Sequence, residues 1–263
     1  MAVSETTTIT VEYEQAFCTL DGFQEELRGT EFTVVYLFHL TPAASVKFAS
    51  FRQGLSHLSI DQDTASSRAI DGFQDNAREA LNLEESNDRD NAVSARTRSP
   101  EEPLKLILKS YRDETLMADE VTAYDMMQRI QGTVTPELYG TCSLRGPPTI
   151  VLEYIIGMDL LHHKNDLENF PKLVRAVENC YKQISDCGVV QWDPRLDGII
   201  LTDPSRMTVR MIDFSHVEFS WSPANWSTND ILELNESNSH DLLRRYSRRM
   251  GWKLVNDVST WDW

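Results

Sequence analysis

One segment of the chain combines a strand composition with a helical pattern directly after it. Leu104–Tyr111 is rich in large apolar residues and predicts a β-strand. Apolar residues then recur at helical spacing from Met117 to Ile130, and Gly132 stands where a helix would end. Two ionisable residues lie inside this unit, Lys109 near the end of the strand and Glu120 early in the helix. The chain must therefore fold so that a strand leads directly into a helix.

The remaining apolar segments predict a mixed α+β protein. We expect a strand over residues 31–40 and a second over 45–51, joined as a hairpin by a short loop. Five strands and one helix would then be followed by a mostly helical half. The other predicted elements are strands over 136–142, 149–154, 198–202 and 208–213, a long helix around 173–184 and a last helix over about 239–250.

Residues 56–102 differ in composition from the segments on either side. From Glu84 to Glu102 the chain is charged, rich in serine and asparagine, and nearly free of large apolar residues. We interpret 56–102 as a mobile insertion with a short helix around residues 70–81. The predicted domain organisation is an N-terminal lobe over 1–152 that contains this insertion and a C-terminal lobe over 153–263.

Charge and composition restrict the partners of the protein. The chain has 263 residues and a formal net charge of −16, so its surface repels nucleic-acid phosphates and anionic lipid. No apolar run reaches the ~20 residues that cross a bilayer. Cys18, Cys142, Cys180 and Cys187 lack metal-ligand spacing and predict reduced thiols. We expect a cytoplasmic protein, with the nucleus as the alternative, that binds neither nucleic acid nor membrane.

Four ionisable residues have the character that phosphoryl transfer requires. Such a reaction needs a cation on the phosphates, a carboxylate that holds Mg²⁺ and a carboxylate that orients the attacking hydroxyl. Lys109, held by Glu120, would supply the cation. Asp193 and Asp213 flank the strand pair 198–202 and 208–213, and would supply the two carboxylates.

The order of these motifs resembles the protein-kinase-like superfamily, in particular the divergent kinase-like proteins of filamentous fungi. The resemblance implies a protein-kinase-like two-lobe fold of the α+β class, with a small β-rich N-lobe and a reduced, mainly helical C-lobe. The motifs that carry it are Leu106–Lys109 for V-A-I-K, Asp119–Tyr124 for the helix with the ion-pair glutamate, Val151–Gly157 for the hinge, Gly188–Leu201 for the catalytic loop and Met211–Ser215 for D-F-G.

The resemblance also implies ATP and Mg²⁺ as cofactors and assigns roles to individual residues. Lys109 would bind the α- and β-phosphates, and Glu120 would hold its ammonium group. Asp213 would bind Mg²⁺, and Asp193 would be the catalytic base. The backbone of a hinge segment would bind adenine through Glu153, Tyr154 and Ile155.

Three departures from the family pattern bear on activity. Gln191 replaces the histidine of the catalytic loop. Gly198 stands at the asparagine position that helps to hold a second Mg²⁺, and Asp197, one residue earlier, is a candidate metal ligand in its place. The loop Thr41–Ser45, expected to cover the phosphates, contains no glycine, so its backbone cannot approach them closely.

Three functions remain open from the sequence. The first is ATP-dependent phosphotransfer to a hydroxyl of a protein or a small molecule. The second is a catalytically impaired pseudokinase that works as a regulatory or scaffolding partner of another protein. The third is an unrelated α+β protein whose motifs are accidental, in which Lys109 is an ordinary lysine of an edge strand.

Overall fold

The N-terminal half of the described chain forms a closed antiparallel β-barrel of six strands. The computed structural model describes residues 6–13, 16–30, 32–52, 104–143, 146–221 and 226–252. The strand order around the barrel is β1-β2-β3-β4-β6-β5, and β5 pairs with β1 to complete the circle. The strands are β1 (Thr7–Tyr13), β2 (Ala16–Gly29), β3 (Thr33–Leu40), β4 (Lys105–Tyr111), β5 (Leu138–Ser143) and β6 (Pro148–Glu153).

The predicted kinase-like two-lobe fold is wrong, because this barrel takes the place of the expected N-lobe. The sequence analysis assigned no structure to residues 7–29, which form β1 and β2. In both strands apolar and polar residues alternate, so that Ile9, Val11, Cys18 and Leu20 point into the barrel core. With these two strands present the sheet closes on itself, and its edges are paired.

The predicted strand over 45–51 is also wrong, because residues 42–52 form helix α1. Thr41 accepts a hydrogen bond from the Ala44 N–H at 3.2 Å, and proline follows it at the first helical position. Ala44 and Phe48 are buried four residues apart, which is a helical spacing. The expected phosphate-covering loop is therefore the start of a helix that packs on the barrel.

The remaining elements pack around a second core. They are α2 (Glu114–Met126), α3 (Phe170–Ser185), α4 (Thr228–Arg249) and the short strands β7 (Met158–Asp159), β8 (Val189–Gln191), β9 (Ile199–Asp203), β10 (Thr208–Met211) and β11 (Val217–Phe219). Helix α4 begins about ten residues before the expected start. Its capping box, in which Ser227 and Asp230 bond each other's backbone N–H groups, fixes that earlier start.

Two further expectations concern the insertion and the membrane. The predicted insertion over 56–102 falls on residues that lie outside the described ranges. Among the described helices, none has both the length and the apolar composition that a membrane crossing requires.

Candidate functional site

A cavity of about 610 Å³ lies between the barrel and the C-terminal half of the chain. Its walls combine apolar side chains with charged groups from several elements. The apolar part includes Val35, Ile107, Leu152, Ile200 and Ile212, and the charged part includes Arg28, Lys109, Glu120, Asp197 and Asp213. The volume falls within the range of small-molecule sites, and this mixture of linings is typical of them.

Lys109 lies at the centre of a buried ion cluster in this cavity. Its Nζ is 2.5 Å from Glu120 Oε2 and 2.6 Å from Asp213 Oδ1. Only 5% of the Lys109 side chain and none of the Glu120 side chain are exposed. The cluster joins β4, α2 and the segment after β10, so it brings together three of the residues that the sequence analysis selected.

Glu120 connects further parts of the fold through both of its carboxylate oxygens. Oε2 also accepts a hydrogen bond from the Tyr111 hydroxyl, and Oε1 accepts one from the Phe214 N–H at 3.3 Å. The carboxylate is thus satisfied by three donors, as a fully buried charge must be. Because Tyr111 and the Phe214 N–H hold the carboxylate, Glu120 in turn fixes the position of the Lys109 Nζ in the cavity.

Asp213 adopts a backbone conformation that its neighbours hold in place. Its φ of 70° lies in the left-handed region, which aspartate tolerates better than most residues. The Gln191 side chain donates to the Asp213 carbonyl at 3.1 Å and accepts from the Tyr181 hydroxyl at 3.2 Å. Ser215 donates to Asp213 Oδ1 at 2.9 Å. Gln191 therefore positions the backbone of Asp213.

Arg28 bridges Asp197 and Asp213 across the cavity. Its Nη1 lies 3.1 Å from Asp197 Oδ2, and its Nη2 lies 3.3 Å from Asp213 Oδ2. Asp197 also accepts two hydrogen bonds from Arg195, each of 2.9 Å. Asp197 therefore faces the same cavity as Asp213.

The expected adenine segment also lines the cavity. Glu153, Tyr154 and Ile155 all contribute to its wall. Glu153 accepts hydrogen bonds from Arg210 on both oxygens, at 2.9 and 2.6 Å. This bidentate pair ties the end of the barrel strand β6 to β10 and fixes the wall of the cavity.

Asp193 is the predicted site residue that the structure does not bring into the cavity. It is absent from the lining, and its side chain is 53% exposed. Its nearest ionic neighbour is Arg195 Nη1, at 4.0 Å. The assignment of Asp193 as a catalytic base stays a prediction.

Opposite charges determine the pKa values of the central pair. Burial disfavours the charged form of Lys109, but Glu120 and Asp213 outweigh it and raise the Lys109 pKa. Burial likewise acts to raise the Asp213 pKa. The charge and hydrogen bond of Lys109, together with Arg28 and Ser215, outweigh burial and hold the Asp213 pKa far below its usual range. Both groups are charged at neutral pH.

The low pKa of Asp213 predicts a steep loss of stability in acid. Its folded-state pKa lies below its unfolded value of about 3.9, so its contribution is complete above that value and is lost as the pH falls further. In urea denaturation between pH 6 and pH 2.5, we expect the free energy of unfolding to fall less steeply in Asp213→Asn than in the wild type. Equal slopes for the two proteins would contradict the assigned ion cluster.

The carboxylate donors fit a divalent cation that is shared with a ligand. Among the described residues, no group of three or more histidine, cysteine, aspartate or glutamate side chains is arranged to hold a metal. Mg²⁺ is commonly bound by one or two carboxylates, with phosphate oxygens and waters completing its shell. Asp197 and Asp213 are close enough to share one guanidinium group, and so provide such a pair.

The sequence analysis missed Arg28 entirely. Its place in the site comes from a register shift in the β2–β3 pairing, where Glu26 lies opposite Tyr36 and Arg28 opposite Val35. Such a bulge bends the strand and redirects its side chains. A charged residue near the end of a long polar stretch gave no local signal of this placement.

The comparisons with known proteins leave the motifs without support from relatives. No protein-family model matches the chain, and no curated protein is significantly similar to it. The resemblance of the motifs to kinase-like proteins stays a prediction, as do the roles that it assigns to individual residues.

Proposed function

We propose that the cavity binds a Mg²⁺-bound nucleoside triphosphate, with ATP as the expected ligand, and supports phosphoryl transfer to a hydroxyl group. The observation that carries this proposal is the buried cluster of Lys109, Glu120 and Asp213 in the wall of a cavity that combines apolar and charged side chains. Burying a lysine with two carboxylates costs desolvation free energy. Ionisable groups with perturbed pKa values in a cleft are characteristic of functional sites.

The charge of the cavity favours a metal-bound anion over a free one. Its wall contains five carboxylates, Glu120, Glu153, Asp159, Asp197 and Asp213, against the two cations Arg28 and Lys109. With Arg210 on Glu153 and Arg195 on Asp197 also counted, the carboxylates still outnumber the arginine and lysine groups by five to four. Free polyphosphate would be repelled by the excess of negative charge. A divalent cation between the carboxylates and the phosphates removes that repulsion, so nucleotide binding should require Mg²⁺.

Each part of the cavity has a distinct task in this proposal. The apolar side chains Val35, Ile107 and Leu152 would contact the base, next to backbone groups of the segment 153–155. Lys109 would bind phosphate oxygens, with Glu120 fixing the position of its Nζ. Asp197 and Asp213 would hold Mg²⁺, which neutralises negative charge on the phosphates.

The exposed position of Asp193 favours a second candidate function. This carboxylate, the predicted catalytic base, lies outside the cavity wall. The buried cluster of Lys109, Glu120 and Asp213 is therefore also what we expect of a protein that binds nucleotide without turning it over. Such a protein would act as a regulatory or scaffolding partner of another protein. In both cases we propose a location in the cytoplasm, where Mg²⁺ and nucleoside triphosphates are abundant.

Thermal and chemical unfolding with and without Mg²⁺-ATP tests nucleotide binding. A ligand that binds only the native state at a thousand times its Kd stabilises it by about 4 kcal/mol. We expect this stabilisation in the wild type with Mg²⁺ and its loss with EDTA. We expect no stabilisation in Asp213→Asn, because one of the two metal-binding carboxylates is removed.

Asp203→Asn is the matched control for this experiment. Asp203 lies at the end of β9, where it accepts hydrogen bonds from Ser205 and Arg206, and it does not line the cavity. This variant should respond to Mg²⁺-ATP as the wild type does. A wild type that shows no stabilisation with any nucleoside triphosphate would refute the proposed function.

ADP formation in the same samples separates the two candidate functions. Phosphotransfer predicts turnover in the wild type, and Asp193→Asn should lose that turnover while keeping the stabilisation by Mg²⁺-ATP. Stabilisation without ADP formation, measured with candidate hydroxyl acceptors present, would support the binding protein.

A further inference from the structure

Arg28 occupies the space between the two carboxylates that would bind the metal. Each of its two terminal nitrogens donates to a different aspartate, Nη1 to Asp197 Oδ2 and Nη2 to Asp213 Oδ2. The second oxygen of Asp213 is already held by Lys109 and Ser215. Arg195 also donates to both oxygens of Asp197, so Arg28 is the cation that the two aspartates share. The oxygens on which the guanidinium lies are therefore those that a shared divalent cation would need.

We propose that Arg28 is a resident counter-cation that competes with the divalent metal and moves to the nucleotide phosphates when the metal–nucleotide complex binds. This inference rests on the proposed function, because the phosphates are what receives the displaced guanidinium. Arg28 would thereby make metal binding depend on the presence of nucleotide, since the metal alone displaces the guanidinium without offering it a new acceptor.

The position of Arg28 in the fold suits such an exchange. It lies near the end of β2, beside the bulge in the β2–β3 pairing. Its side chain forms ion pairs with Asp197 and Asp213 in the C-terminal half of the chain. About 35% of its side chain is exposed, so the guanidinium has an open path to solvent and to a bound ligand. Leu27 and Arg28 line the cavity, whereas Thr41–Ser45 do not. The side chain of Arg28 therefore lies in the cavity, and the glycine-free segment Thr41–Ser45, which was expected to cover the phosphates, does not.

Arg28→Gln separates competition from simple binding. Without the guanidinium, Mn²⁺ alone should bind about tenfold more tightly than in the wild type, because the metal no longer has to displace the two charge-assisted hydrogen bonds of Arg28. Mg²⁺-ATP affinity should change by less than about threefold, because relief from the competition offsets the missing bond between the guanidinium and the phosphates. Free Mn²⁺ is measured by electron paramagnetic resonance, and Mg²⁺-ATP binding by isothermal titration calorimetry.

Arg52→Gln is the matched control. Arg52 is also a partly exposed arginine, at 39%, and also pairs with a carboxylate of another element, Glu137, but it lies outside the cavity wall. Its substitution should leave both affinities unchanged. Thermal unfolding of both variants establishes that they are folded before the affinities are compared.

The outcomes distinguish this inference from the proposed function. Unchanged Mn²⁺ affinity in Arg28→Gln would overturn the competition, as would a loss of both Mn²⁺ and Mg²⁺-ATP binding in a folded variant. Mg²⁺-ATP affinity that falls by more than tenfold would show a simple phosphate contact and would also overturn it. A wild type that does not bind Mg²⁺-ATP refutes the proposed function, and with it the transfer of Arg28 to phosphates.

Discussion

Lys109→Met is expected to lower the free energy of unfolding by about 3–5 kcal/mol, the usual cost of removing one partner from a buried ion pair. Methionine fills a similar volume but leaves Glu120 and Asp213 close together without their shared cation. Glu120 is fully buried, so its charge cannot be rehydrated without moving α2. Stabilisation by Mg²⁺-ATP should also disappear. Urea denaturation with and without nucleotide measures both effects.

Two further variants identify the cause of that destabilisation. Lys182→Met removes a lysine from an exposed pair with Asp186 on the surface of α3, and should change stability by less than about 1 kcal/mol. The double variant Lys109→Met/Glu120→Gln should recover part of the stability, because glutamine can still accept hydrogen bonds but carries no charge. A double variant less stable than Lys109→Met would contradict the explanation by unpaired charge.

Gly140→Ala is expected to destabilise the barrel at its closing pair of strands by about 3 kcal/mol or more, the upper end of the usual range for overpacking substitutions. Gly140 has a φ of 125°, and a Cβ there would clash with the carbonyl oxygen of Glu12. That oxygen belongs to β1, at the point where Glu12 pairs with Thr141 of β5. The backbone of one strand must move, and the closure of the barrel is lost with it.

Gly146→Ala separates the steric effect from the conformational one. Gly146 also has a positive φ, of 106°, and lies between β5 and β6, but a Cβ there meets nothing within 4 Å. It should cost only the backbone strain of alanine in that region, about 1–3 kcal/mol. Amide hydrogen exchange should show faster exchange in β1 and β5 for Gly140→Ala than for Gly146→Ala. Equal protection in both variants would contradict the close approach of the two strands.

Local patterns in the sequence were sufficient for most of the helices and strands around the site. The strand that carries Lys109 and the helix that carries Glu120 were both predicted close to their observed positions. The pattern failed for residues 45–51, because a short run of alternating apolar and polar residues is compatible with the two-residue period of a strand and with the 3.6-residue period of a helix. The signal that decides for a helix there is the cap formed by Thr41.

The sequence by itself determined which residue types could form an ion cluster, because a lysine in an apolar strand and a glutamate on the next helix need partners when buried. It did not determine that β1 pairs with β5, since closure depends on contacts between residues far apart in the chain. Only the tertiary structure brought Arg28 between Asp197 and Asp213 and left Asp193 outside the cavity. Those placements depend on strand register and on the direction of the loops. A register shift of one residue turns a side chain to the opposite face of the sheet, and no local sequence pattern predicts the register.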